Sequence, residues 1–215
     1  MARPKTPLLS TELIRDAALR LIDRDGLAGL SMRKLAQELN VQAASLYSHY
    51  ATKDELLADI AAQITHDVDT TGFADGNWRS GLEIWARSYR AALARHPNMV
   101  PFIASGPGRR DAALRRANAI HGGLVAAGWP PREATLIGAS TTYLVVGAAM
   151  NSFARGFDDD ARVYRDRYPN LSQAHRLAEH ADEVDHESFE LALKSFLDGL
   201  DYRFAAITGD SSDPR

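Results

Sequence analysis

Between Ser31 and Asp54 the stretch SMRKLAQELNVQAASLYSHYATKD narrows what this chain can fold into more than any other. It predicts a short helix, a tight turn, a second short helix and the start of a third. Ser31 stands at the first N-cap, where its hydroxyl can accept from the free amides of the opening turn. Leu35, Ala36 and Leu39 recur at three- and four-residue spacing and make one apolar face. Asn40 falls in the turn, where a left-handed backbone is needed and Asn is the best non-glycine choice. Val41 and Leu46 can pack beneath the first helix, which leaves Gln42, Ala43, Ser45, Tyr47, Ser48 and His49 mostly facing outward. A small helix with a polar, hydroxyl-rich outer face is what a recognition helix in a DNA major groove requires.

The flanks fit that unit. Ser10 caps a preceding helix whose apolar positions are Ile14, Ala17, Ala18, Leu21 and Ile22, with Gly26 as its stop. Before it, Arg3 and Lys5 with Pro4 and Pro7 form a basic arm that suits either a DNA backbone or plain solvent. After it, Thr52 and Glu55 have the spacing of a capping box. The helix they open carries Leu56, Leu57, Ile60, Ala61, Ile64 and Val68 and is expected to run to about Thr70. At ~1.5 Å per residue it would span roughly 27 Å, enough to leave the small head and enter a second domain.

Beyond residue 70 the periodicity stays helical and no strand alternation persists. Thr70 to Asn77 is a loop, followed by Trp78, Leu82, Trp85, Tyr89 and Leu93 at helical spacing. Residues 97–108 are broken by proline and glycine, with at most a helical turn around Phe102. Asp111 to Ala127 is helical again and Gly128 ends it, while Pro130 and Pro131 suit the opening of the next helix. From Ala134 to Phe153 there is no charged residue. Thr135, Ser140, Thr141, Thr142, Asn151 and Ser152 make this run too polar for a membrane span, so it reads as a helix buried on every side and as a subunit interface. Residues 156–170 read as a charged, mobile loop, Leu171 to about His180 as a short helix, and Asp185 to Ile207 as a final amphipathic helix.

The charge of −3 over 215 residues is unusual for a nucleic-acid binder, but it is unevenly spread. Residues 1–53 carry eight basic side chains against five acidic ones, a balance of +3 that leaves −6 for the remainder. There is no cysteine, which excludes disulfides and thiolate metal sites and fits a reducing cytoplasm. The beginning, MARPKTPLLS, has no apolar export core, so a cytoplasmic location is expected. No nucleophile elbow, zinc-protease helix or glycine-rich phosphate loop is present, so no catalytic residue, cofactor or metal is expected. Gly106 to Arg110 could cradle an anion or simply turn the chain, and His180 to His186 could offer metal ligands or form a solvated acidic turn.

The stretch GLAGLSMRKLAQELNVQAASLYSHYATKDELL resembles the DNA-binding head of the TetR family of bacterial transcriptional regulators. The resemblance rests on Gly26, Leu30, Ser31, Leu35, Ala36, Val41, Leu46, Tyr47, Tyr50, Lys53, Leu56 and Leu57. It is firm over residues 10–60, while residues 80–96 and 134–151 look similar to the ligand-binding body of the tetracycline-repressor type. It implies that Arg33 reaches a base edge, that Ala43, Ser45, Tyr47, Ser48 and His49 face the groove, and that Lys53 contacts a phosphate. It also implies an effector pocket lined by Trp85 and Tyr89 with His66 nearby. Phe102, His121 and Met150 are further candidates from their buried faces, equally explained as core, and Asn151 completes the candidate set. The family's metal-binding histidine falls opposite Ile103, and the carboxylate its partner subunit supplies falls opposite Asn151. Magnesium–tetracycline is therefore a poor expectation, and a hydrophobic or aromatic effector a better one.

The expectation is an all-α protein: a three-helix DNA-binding head with a helix-turn-helix over residues 1–54, a larger helical ligand-binding and dimerisation body over 55–209, and a tail over 210–215. Its expected partners are a double-stranded DNA operator, a small-molecule effector and a second copy of itself, with no membrane. The competing reading is an all-α small-molecule binder or enzyme whose helix-turn-helix only packs.

Overall fold

Helix starts and stops follow the side chains that the sequence places at them. The structure, a computed structural model, describes residues 9–74, 76–106, 110–150, 152–165 and 167–209. Helix α1 (Thr11–Asp25) begins where the Ser10 hydroxyl accepts from the Leu13 amide and ends at Gly26, whose φ of 75° suits glycine. Helix α2 (Met32–Glu38) is capped by Ser31, which accepts from the Lys34 amide. Asn40 then takes φ 53°, the left-handed conformation that the turn demands, and α3 (Ala43–Tyr47) follows. Every element assigned among the described residues is helical, in agreement with the expected class.

The chain forms two compact units. The first holds the described residues up to His66 together with those of His96–Ala113. In it α1 to α3 pack with α4 (Lys53–Ile64), and a turn at Pro97–Met99 leads into α6 (Val100–Ala104). Its core is Ile14, Leu21, Ile22, Leu35, Leu46, Leu56, Ile60, Met99 and Val100, each wholly or almost wholly buried. The Asn98 amide donates to the carbonyls of Ile22 (2.9 Å) and Asp23 (3.1 Å), closing the last turn of α1.

The second unit holds Asp67–Arg95 and the described residues from Leu114 onward. Helix α5 (Trp78–Ala94), capped by Asn77, packs against α8 (Pro131–Met150) and α10 (Ala181–Thr208). Helix α7 (Asp111–Ala126), which begins in the first unit, carries Ile120 and Leu124 into the core of the second. Phe73 sits where a Cβ on Gly81 or Gly123 would come within 2.5 Å of it, so both helices are glycine at the point of approach. Trp78, Trp129 and Phe204 form one aromatic cluster with ring centroids 4.9 to 5.6 Å apart.

Four expectations need correction. Helix α4 stops at Ile64 rather than about Thr70: Thr65 takes φ −98° and ψ 11°, and the backbone leaves the helix there. Its 12 residues span roughly 18 Å. The Thr52 hydroxyl accepts from the Glu55 amide as expected, but the Glu55 carboxylate accepts from the amide of Ala51, one residue earlier than in a standard capping box. Residues 156–170 contain helix α9 (Arg162–Arg165), because Tyr164 is buried and its hydroxyl both accepts from the amide and donates to the carbonyl of Asp158. Finally, α8 ends at Met150 rather than Phe153, and within the single chain it buries Ala134, Ile137, Thr141, Val145 and Ala149. Among the described residues no helix is long and apolar enough to cross a membrane.

Candidate functional site

The face expected to meet DNA is assembled by caps and by one hydrogen-bonded network. Leu46 is fully buried and anchors α3, which turns Gln42, Tyr47, Ser48 and His49 outward. Ala43 and Ser45 are half-buried. The Ser48 hydroxyl donates to the Ser45 carbonyl at 2.8 Å, so in this state it closes its own helix end. Tyr50 is core: its hydroxyl donates to the Asp59 carboxylate at 2.6 Å and lies 3.3 Å from the Thr11 carbonyl. Arg15 reaches the same carboxylate at 3.4 Å, so one acid joins α1, the end of α3 and α4. Burial, with Asp59 second, raises the Tyr50 hydroxyl well above the usual phenol range, so it stays protonated and donating.

Charge on this unit is partly spent within it. Arg24 reaches both Asp25 and Glu38, and Lys34 donates to Asp25 at 2.8 Å. Hydrogen bonds from Arg24 and Lys34 hold the Asp25 carboxyl below the ordinary carboxylate range. Arg33, by contrast, is exposed and makes no hydrogen bond or ion pair among the described residues. It sits in the first turn of α2, two residues past the cap. An arginine so placed has its planar fork available for a bidentate contact to guanine. Lys53 is half-buried, and its ammonium donates to the Leu30 carbonyl at 2.7 Å.

The effector candidates divide between the units. In the first, His66 is exposed just past the end of α4, and Phe102 is half-buried with the Arg110 guanidinium 5.0 Å from its ring centroid. In the second, Trp85 and Tyr89 are buried and stack at 6.2 Å with an interplanar angle of 15°. His121 turns its Nε2 toward the Pro131 carbonyl at 3.2 Å, at the start of α8. Met150 is 44% exposed, on a different side of α8 from its buried residues. Asn151, like Arg3, Lys5 and residues 107–109 of the possible anion cradle, lies outside the described residues. Trp85 and Tyr89 are thus brought together.

Sequence reasoning missed Arg116, whose guanidinium lies 5.2 Å from the Tyr89 ring centroid. The Trp85 indole N–H is buried and has no acceptor among the described residues. A cation on one side of an aromatic stack and an unanswered donor within it can hold a planar group that carries an acceptor. Only the spacing of Tyr89 and Arg116 on two different helices hides this from a linear reading. Among the described residues no three side chains of His, Cys, Asp or Glu gather as a metal site would need.

Comparison with known proteins accounts for both units. The model for "Bacterial regulatory proteins, tetR family" matches residues 14–60, and that for "Tetracyclin repressor-like, C-terminal domain" matches residues 73–204. The tetracycline repressor protein class A from transposon 1721 of Escherichia coli is 35% identical over 204 residues, 91% of each chain. A possible TetR family transcriptional regulator from Streptomyces coelicolor A3(2) has a similar structure, with a TM-score of 0.72 and 29% identity over 90% of this chain and 99% of that one. So does ActR from Streptomyces coelicolor, solved in complex with (S)-DNPA, with a TM-score of 0.70 and 26% identity over 89% and 96%. The chain belongs to the tetR family of bacterial regulatory proteins and is a DNA-binding regulator of transcription.

Proposed function

We propose that this regulator is a homodimeric repressor that leaves a near-palindromic operator when a hydrophobic or aromatic small molecule binds it. The observation that carries the DNA-reading role is the exposed, unpaired Arg33 beside the outward polar face of α3. Residues 1–54 read the operator through Arg33, Ala43, Ser45, Tyr47, Ser48 and His49, and Lys53 serves the same interface in the manner argued below. With so few long donors on α3, base discrimination rests mainly on Arg33.

Residues 55–209 provide effector binding and dimerisation. Support for the dimer is the stripe of Leu136 (45% exposed), Tyr143 (75%) and Met150 (44%) on α8, with exposed Leu191 and Tyr202 on α10. Two helices from each copy would bury these faces as a four-helix bundle. A two-fold pair then presents its recognition helices about 34–36 Å apart, one DNA turn. The Trp85–Tyr89 stack with Arg116 supports an aromatic effector. ActR was solved with (S)-DNPA, and a ligand of small-molecule size is carried over to this chain as part of the proposal. Effector binding favours a dimer whose recognition helices mismatch the operator spacing, so affinity falls. Repression of this kind acts in the cytoplasm and needs no catalytic residue or cofactor.

The test is duplex binding by fluorescence anisotropy with a DNA site selected by the protein from a random library. Arg33→Ala is expected to cost ~1–3 kcal/mol and to relax preference at one base pair of each half-site. Binding that ignores salt and tolerates Arg33→Ala would leave only the competing reading, in which the helix-turn-helix merely packs.

A further inference from the structure

Lys53 occupies a place that electrostatics alone does not favour. It is the first residue of α4, where the helix dipole presents its positive end, so a cation there is opposed unless something answers it. The answer in this structure is the Leu30 carbonyl, 2.7 Å from the ammonium. That carbonyl belongs to the peptide unit joining Leu30 to Ser31, and Ser31 is the residue that caps α2. Leu30 is itself 2% exposed, so packing fixes one side of this peptide while Lys53 holds the other.

Both ends of the bond are rigid. At the α4 end, Thr52 caps the helix through the Glu55 amide. At the α2 end, Ser31 caps through the Lys34 amide. Arg33 follows the pinned peptide within the same first turn, at N2 of α2. A rotation of that peptide would swing the Arg33 stem directly, and a bidentate contact to guanine tolerates little misalignment. We propose that Lys53 is a positioning residue: by holding the Leu30–Ser31 peptide it sets the start of α2 and the reach of Arg33, and it is not chiefly a phosphate contact. The proposal rests on the reading of Arg33 as a base-reading side chain.

The two roles leave different signatures. A phosphate contact acts on every sequence and contributes to counterion release, so its loss lowers the slope of log K against log salt by about one. A positioning residue acts on discrimination and leaves the slope alone. The experiment uses the full chain, the duplex selected by the wild-type protein from a random library, and a scrambled duplex of the same length, from ~50 to 300 mM NaCl. Lys53→Met keeps the stem and removes the donors. The expected result is a loss of about tenfold in the ratio of selected to scrambled affinity with an unchanged salt slope. The double variant with Arg33→Ala should discriminate no worse than Arg33→Ala alone. Equal weakening on both duplexes, a slope lowered by about one, or no change at all each overturns the proposal. Circular dichroism and thermal melting check folding, and Lys53→Gln, a shorter side chain that keeps a donor, is the second variant if Lys53→Met does not fold. If Arg33→Ala by itself leaves the ratio intact, the base-reading assignment fails, and the slope and ratio of Lys53→Met still decide what Lys53 does.

Discussion

Helices α1 and α8 are both rich in apolar residues, yet they finish their packing differently. In α1 the apolar face of Ile14, Ala17, Ala18, Leu21 and Ile22 is 0 to 1% exposed, and α1 packs on α2, α4 and the turn at Pro97–Met99. In α8 one face is closed in the same way, while Leu136, Tyr143 and Met150 stay open at seven-residue spacing, two helical turns apart. A wet apolar face of that kind costs solubility unless something covers it. The first unit therefore holds its folding information within one chain, and the second carries surface that one chain does not use.

The largest effect should come from breaking the closed face. Leu21→Ala removes a side chain that is 1% exposed and leaves a cavity between α1 and its neighbours, which costs ~2–5 kcal/mol. A two-unit chain can unfold in two steps, so the measurement should be local. Hydrogen exchange at the α2 and α3 amides is expected to accelerate by 30-fold or more, by roughly the factor that this energy implies. Amides of α8 and α10 should hardly respond. Equal acceleration in both units would show that they unfold together and would remove the contrast.

Next in size is a charge on the open face. Tyr143 is 75% exposed, and in an isolated chain Tyr143→Glu should change stability by less than about 0.5 kcal/mol. Buried against a second copy, the same carboxylate would lack a partner and weaken association by about 2–3 kcal/mol, close to a hundredfold in dissociation constant. Sedimentation equilibrium separates the two outcomes. A variant that associates like the wild type would mean that α8 is not the interface.

Much of the first unit is legible in its sequence because local chemistry decides it. Ser10, Ser31 and Thr52 each act within three residues of their own position, and Asn40 answers a backbone requirement of a single residue. What escaped reading depends on distant partners. The end of α4 at Ile64, where Thr65 departs from helical backbone angles, cuts short an apolar periodicity that continues to Val68. The compact first unit also takes residues 55–66 and 96–113 with the head, and no pattern within residues 96–113 announces it. Arg116 meets Tyr89 across 27 positions of sequence, and Lys53 meets Leu30 across 23. The resemblance gave Lys53 a phosphate, but it could not give the carbonyl.

Asn40 offers a smaller and cleaner test of that local legibility. With φ at 53°, replacement by a β-branched residue forces a Cβ clash in the left-handed region. Asn40→Val is expected to lose ~1–2 kcal/mol, again confined to the first unit, whereas Asn40→Gly should be close to neutral. Thermal melting of both variants, read with exchange at the α2 amides, checks the sign. If valine and glycine behaved alike, the turn would not be held by its backbone conformation.

The smallest effect concerns how the second unit ties its long helix in place. Arg87 on α5 donates through Nε and Nη2 to the Glu190 carboxylate on α10, at 2.7 to 3.1 Å. The hydrogen bonds from Arg87 hold the Glu190 carboxyl below its ordinary value of 4.5. A carboxylate depressed in the folded state stabilises it above that ordinary value and loses the contribution as pH falls through the lower, folded one. Wild type should therefore exceed Glu190→Gln in stability at pH 7, and the difference should shrink once pH drops below about 4.5. Arg87 is 49% exposed, so solvent screening limits the pair to ~0.2–1 kcal/mol, and less at high salt. Melting curves at pH 7 and pH 3.5, in low and high salt, measure it. A difference that neither acid nor salt reduces would show that Glu190 acts through packing, which would make the second unit more like the first than its surface charges suggest.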